Sequence, residues 1–166
     1  QLDTLTQINL DDLVSSFGWE QQPLLASTLR RLFIQPAKKF ANQMVDFDNS
    51  VGKTSLADAS RQIMCQRYVH DVRVHGREHV PVNGPVLFLS NHPGMADTIS
   101  LFAAINRPDL NIIALHRPFL ALLTHTARNL FFIEDEPAKR MNAIRQITAH
   151  LRAGGAGLTF PAGEIE

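Results

Sequence analysis

The chain has one cysteine, Cys65, in 166 residues, which excludes an internal disulfide and any multi-cysteine metal site. A single free thiol fits a reducing compartment. No charge is in excess. Sixteen basic and sixteen acidic side chains cancel, so the global electrostatic footprint of a nucleic-acid binder is missing. No stretch reaches the ~20 consecutive apolar residues of a membrane span. The nearest approach, residues 112–133, is broken by His116, Arg117, His125 and Arg128. Residues 1–20 contain Asp3, Asp11, Asp12 and Glu20 and no base, unlike a secretory leader. There is no internal repeat and no low-complexity tract. What remains is an apolar share of 45%, ordinary for a globular protein, in a length that suits one domain.

The pattern divides into two parts. Residues 1–69 read as helical. Leu10, Leu13, Val14 and Phe17 mark a short amphipathic helix ending at Gly18. Leu25, Leu29, Leu32, Phe33, Phe40 and Met44 recur near helical spacing, with a kink or break expected at Pro36. Thr54 or Ser55 is placed to cap a third helix reaching about Tyr68.

Residues 70–166 alternate. Strands are expected at 71–75, 86–89, 111–115, 129–134 and 157–160, and helices at 97–106, from Pro118 to about Ala127, and from Pro137 to just before Gly154-Gly155. This order predicts an α/β fold, a largely parallel sheet flanked by helices and preceded by the helical segment. Sites in such sheets gather at the carboxyl ends of strands.

One turn between strand and helix carries chemistry: Ser90-Asn91-His92-Pro93-Gly94-Met95-Ala96-Asp97. On an unbroken helix, residues five apart point about 140° away from each other. Pro93-Gly94 breaks the regularity, so the chain can return His92 toward Asp97. A carboxylate beside an imidazole fixes its tautomer and raises its basicity, which makes His92 a general-base candidate. Taken alone, the same residues are also an ordinary polar turn.

The Asn91-His92-x4-Asp97 pattern resembles the His-x4-Asp motif of the glycerolipid acyltransferase family, which acylates lysophospholipids and glycerol phosphate. Phe160-Pro161-Ala162-Gly163-Glu164 stands where the family carries Phe-Pro-Glu-Gly, in a variant similar to the ornithine-lipid and haemolysin-type branch. Phe131-Phe132-Ile133-Glu134-Asp135 resembles a Phe-Ile-Asp-Arg segment without its Arg. The likeness covers roughly residues 70–166. It implies phospholipid or other lipid metabolism, an acyl-CoA or acyl-carrier-protein co-substrate, no cofactor or metal, and a peripheral place on the cytoplasmic side of a membrane. It also implies that the domain normally continues past the last motif, so exposed apolar surface is expected.

In that reading His92 and Asp97 are catalytic. Asn91, Gly94, Phe160, Pro161, Gly163 and Glu164 shape the substrate site, while Arg117, Lys139 and Arg140 are phosphate-binding candidates. Each of these bases alone is equally an ordinary solvated charge. Asp135 in place of Arg weakens the case for a phosphate-bearing acceptor. From Gln21 to Val45 there are four bases, Arg30, Arg31, Lys38 and Lys39, and no acid, so this segment suits either an anionic membrane surface or packing on the domain. A thioesterase using the same His-Asp pair on water, and a non-catalytic lipid-binding protein, are the alternatives. Two weaker patterns fail. Gly52-Lys53-Thr54 lacks the opening Gly of a phosphate loop, with Phe47 in its place, and His70 and His75 lie an odd number apart on an expected strand.

Overall fold

The computed structural model describes residues 1–91, 94–134 and 136–161. Helices α1 (Leu2–Ser16), α2 (Pro23–Lys53) and α3 (Leu56–Ile63) come first, α3 running on into a π-helical turn, Met64–Tyr68. Then follow β1 (Val86–Leu89), α4 (Met95–Ile105), β2 (Leu110–Leu115), α5 (Pro118–Ala121), a 3-10 turn (Thr126–Asn129), β3 (Leu130–Ile133), α6 (Pro137–Arg152) and β4 (Ala156–Thr159). The protein is α/β. Its four strands are parallel and ordered β1-β4-β2-β3.

Crossover handedness explains the layers. The chain moves outward from β1 to β2 and returns from β3 to β4. Right-handed crossovers therefore put α4 and α6 on opposite faces. Ala156, Leu158, Leu110 and Ile112 point to the α4 side, where they join one buried cluster with Ile99 and Phe102 of α4, Ile63 of α3, Met44 and Phe47 of α2 and Leu5 of α1. The other face meets α6, where Phe131 contacts the His150 ring edge-on at 5.5 Å. On that face Leu87 and Leu89 remain exposed, Leu89 by 65%.

The amino ends of three strands are tied by one side chain. Arg107 is buried and forms a two-pronged pair with Asp109 at 2.9 and 2.6 Å. It also donates to the carbonyls of Pro81 (3.3 Å) and Gly84 (2.8 Å) before β1 and of Gly154 (3.1 Å) before β4. His150 Nε2 lies 2.9 Å from the Asp109 carbonyl and 3.1 Å from that of Ala156. A second staple is Asp48, a buried carboxylate of α2 that accepts from Thr126 N (2.7 Å), Thr126 Oγ1 (2.8 Å) and His125 N (3.0 Å). One turn further along α2, a Cβ on Gly52 would stand 2.5 Å from His125 Nδ1. Gly52 is thus a packing glycine beneath that ring.

Several expectations change. Residues 71–75 join no ladder: β1 pairs with β4 on one side, and no strand lies along its other edge among the described residues. Pro36 does not break α2, which runs unbroken from Pro23 to Lys53. The carbonyl that Pro36 leaves without its helical donor belongs to Leu32, which is 69% exposed, so water can reach it. The first helix begins at Leu2, well before the amphipathic stretch. The helix after Pro118 ends at Ala121, and Thr126–Asn129 is a separate 3-10 turn. Of the two possible caps, Ser55 takes the role, its side chain accepting from Asp58 N at 3.0 Å.

Arg107→Ala should lower stability by about 3 kcal/mol, because Asp109 loses its ion-pair partner and three carbonyls lose a donor that ties their segments together. For a domain of this size that is roughly 6–12 °C in Tm; an unchanged melting curve would contradict the staple. The hydrogen bond from Arg107 holds the Asp109 carboxyl below its usual range, against a smaller opposing effect of burial. The sign follows from the lowered folded value. The contribution of Asp109 is whole above the unfolded carboxyl's range, near pH 4, and is lost as pH falls through the folded value. Acid unfolding of Asp109→Asn should accordingly be flatter in that window than wild type.

Candidate active site

The site is built where parallel neighbours end. Leu89 of β1 pairs with Thr159 of β4, and Ser90 N donates to the Thr159 carbonyl at 3.2 Å, carrying the ladder one residue further. Asn91 and Phe160-Pro161 therefore leave from adjacent strand ends. Strand spacing is about 4.8 Å, so the two motif segments start side by side although 69 positions separate Asn91 from Phe160.

After the turn, Gly94 caps α4 and Asp97 sits in its first turn. An anionic side chain there is favoured by the helix dipole. Asp97 is exposed, and its carboxylate bends back: Oδ2 would be 3.4 Å from a Cβ on Gly94. It thus faces the turn from which the helix springs. Asn91 and Pro161 are exposed, whereas Phe160 is half-buried and packs against the main core. Phe160 anchors the strand end and so fixes where Pro161 begins its turn. His92, Gly163 and Glu164 lie outside the described residues, as do Pro93, Asp135 and Ala162.

The basic candidates do not converge on this pair of turns. Arg117 is exposed and caps α5 after β2. With β4 between β1 and β2, it stands about 10 Å to the side of Asn91. Lys139 and Arg140 open α6 beyond β3, a further strand away. Lys139 is engaged by Glu134 (2.7 Å) and Glu136 (3.4 Å), and these bonds raise its pKa. Arg140 Nε donates to the Glu134 carbonyl at 3.4 Å. Two of the three bases are thus held by their own loop.

Residues 71–166, more than half of the chain, match the family model described as Acyltransferase. The chain belongs to the acyltransferase family. No curated protein and no solved structure matches it. The family implies an acyl donor and a lipid acceptor, and in this chain the adjacent ends of β1 and β4 set Asn91 and Phe160 side by side. Sequence reasoning placed both motifs after strands, and β1 and β4 end beside each other. It missed Arg107 and His150, which lie at the opposite end of the sheet and align the strands from which Asn91 and Phe160 leave. The signal for Arg107 was its position between a helix end and a strand, followed by Pro108 and Asp109.

Asp97 accepts no hydrogen bond from the described residues and is exposed, so it contributes little to the fold. Asp97→Asn should change unfolding free energy by less than about 1 kcal/mol. A larger loss in denaturant titration would make this carboxylate a structural group.

Proposed function

We propose that this acyltransferase moves a fatty acyl group from acyl-CoA or acyl carrier protein to a lysolipid-type acceptor, with His92 as general base and Asp97 as its partner. His92 takes the proton from the acceptor's hydroxyl or amine as that group attacks the thioester carbonyl. Asp97 orients the ring and offsets the imidazolium charge. When the tetrahedral intermediate collapses, the C–S bond breaks and the imidazolium proton goes to the leaving thiolate. No acyl-enzyme is needed. Donors for the oxyanion would be backbone N–H groups of the two turns, Gly94 and Gly163 among them.

What supports this reading is the adjacency of β1 and β4, which starts both motif turns side by side, with the Asp97 carboxylate bent back toward the first. For the acceptor, Lys139 is already engaged by two carboxylates and Asp135 occupies the place of a phosphate-binding Arg. That favours an amine-bearing or zwitterionic acceptor, such as a lyso-ornithine lipid, over lysophosphatidic acid. With acyl-CoA or acyl carrier protein as donor, His92→Ala should keep its circular dichroism and lose at least ~100-fold in transfer. Offered at equal concentration, the lyso-amino-lipid should be acylated ahead of lysophosphatidic acid. Thioester hydrolysis that no acceptor diverts would make the protein a thioesterase, and binding without turnover would make it a lipid-binding protein.

Residues 1–69 would then supply the membrane contact and residues 70–166 the chemistry, with the protein held peripherally on the cytoplasmic side. Among the described residues no helix is long and apolar enough to cross a membrane. The α1–α2 hairpin instead offers a surface contact. Phe40 stacks on Phe119 of α5 at 5.7 Å, level with the carboxyl end of β2, and Asp48 reaches the start of β3. Residues 23–39 therefore run on past the strand ends for about 25 Å. There Phe17, Leu24 (85%), Leu25, Leu32 and Phe33 are exposed. Arg30 pairs with Asp11 of α1, while Arg31, Lys38 and Lys39 are exposed and make no ion pair among the described residues. Each base near an anionic surface contributes about 1 kcal/mol and each buried Leu about 2. In flotation with phosphatidylglycerol vesicles, the triple variant Leu24→Ser, Leu32→Ser, Phe33→Ser should stay at the bottom. Flotation equal to wild type would remove the hairpin from the contact.

A further inference from the structure

A polar groove on the helical side has no part in the strand-end chemistry. It has a volume of about 370 Å³ and lies between α2 and the π-helical turn, lined by Lys38, Lys39, Asn42, Gln43, Asp46 and Arg67. A second hollow of about 100 Å³ between α2 and α3 shares Gln43, Asp46 and Arg67 with it. Three cations and one carboxylate leave an excess of positive charge. None of the three cations makes an ion pair among the described residues. Five other bases, Arg30, Arg61, Arg73, Arg107 and Lys139, each have a carboxylate; what sets Lys38, Lys39 and Arg67 apart is that they share one groove.

The backbone departs from regularity at the same place. α3 widens into the π-helical turn that carries Arg67, a deformation often found at functional sites. Its position along the molecule follows from contacts with α4. Arg61 Nη2 donates to the Ala103 carbonyl at 3.5 Å, and Ser100 Oγ lies 3.8 Å from Met64 Sδ. The two elements run antiparallel, so the turn after Met64 reaches the level of the first turn of α4. Arg67 is therefore on the strand-end side of the molecule, as are Lys38 and Lys39 beside Phe40. Five to seven residues earlier on α2, about one and a half to two turns away, stand the exposed Leu32 and Phe33, of which Leu32 is nearer the face that lines the groove.

We propose that this groove binds the phosphate ester of a membrane glycerophospholipid, separately from the acyl acceptor. Ammonium and guanidinium donors suit a phosphate's oxygens, and the flanking amides of Asn42 and Gln43 add neutral donors. Neighbouring apolar side chains on the same helix suit the lipid's chains, which a free anion does not have. Asp46 limits the charge the groove accepts. The site rests on the membrane-facing role of α2 for its choice of lipid over other phosphates.

The test uses a probe that needs no membrane. Dihexanoyl phosphatidylglycerol, below its micelle concentration, is titrated into the whole chain, with inorganic phosphate and free CoA as separate arms. The lipid should bind, and Lys38→Gln and Arg67→Gln should each weaken it about fivefold. Asp46→Asn should tighten it, and Arg31→Gln, outside the groove, should leave it unchanged. Equal binding by the groove variants would overturn the site. Binding of inorganic phosphate as tight as that of the lipid, or of CoA through Lys38 and Arg67 in preference to the lipid, would overturn its ligand. Flotation is scored independently: wild type that floats without binding the soluble lipid sinks the groove alone, and a lipid-binding protein that does not float sinks the hairpin contact alone.

Discussion

Everything at the strand ends depends on Arg107 at the other end. A parallel sheet has no hairpins to fix its register, so neighbouring strands must be aligned from outside. Here one guanidinium spans the segments that feed β1, β2 and β4, through Gly84, Asp109 and Gly154. Its partner carboxylate and the ring of His150 complete the alignment. Burying such a group is costly unless every donor is used, and Arg107 directs its donors to two carboxylate oxygens and three carbonyls. A slip of one residue would take Leu158 and Ala156 from the core to the opposite face. The adjacency of Asn91 and Phe160-Pro161 is the distant result of that local satisfaction.

Much of the fold was legible because its signals are local. Val86 to Leu89 is a short apolar run after Gly84-Pro85, and Pro137 and Gly154-Gly155 bracket α6 as helix punctuation should. Residues 71–75 misled for a physical reason. Their alternation is that of a strand, but a strand exists only with a neighbour, and partner choice is not written in five residues. As a break, Pro36 misled in the opposite direction, since α2 runs on through it with Leu29, Ala41 and Met44 buried on either side. Length was the other error: α1 extends to Leu2 because Leu5 is buried in the main core, a contact no local pattern announces.

The two motifs were legible in the sequence and their adjacency was not. Spacing drew attention to each separately, and the β1–β4 register sets Asn91 and Phe160 side by side. The bases chosen for a phosphate were the ones near the motifs in sequence, yet Lys139 is satisfied by Glu134 and Glu136 in its own loop. Three further cations, Lys38, Lys39 and Arg67, lie on α2 and on the turn after α3, in the part of the chain without motifs. Proximity in sequence did not point to them, because it is the packing of the helical segment across the sheet that brings them to the strand-end side.

Helix α2 also acts as a strut. It is a single element of 31 residues, fastened near one end by Asp48 and free to meet other matter at the other. Helical rise is fixed, so the separation between those ends is set by residue count alone. A strut of constant length makes the hairpin tip a spacer: any surface that met Leu24 would stand at a set distance from the strand ends. Chain length in one helix, rather than any contact, would set how far such a surface lies from the end of β1.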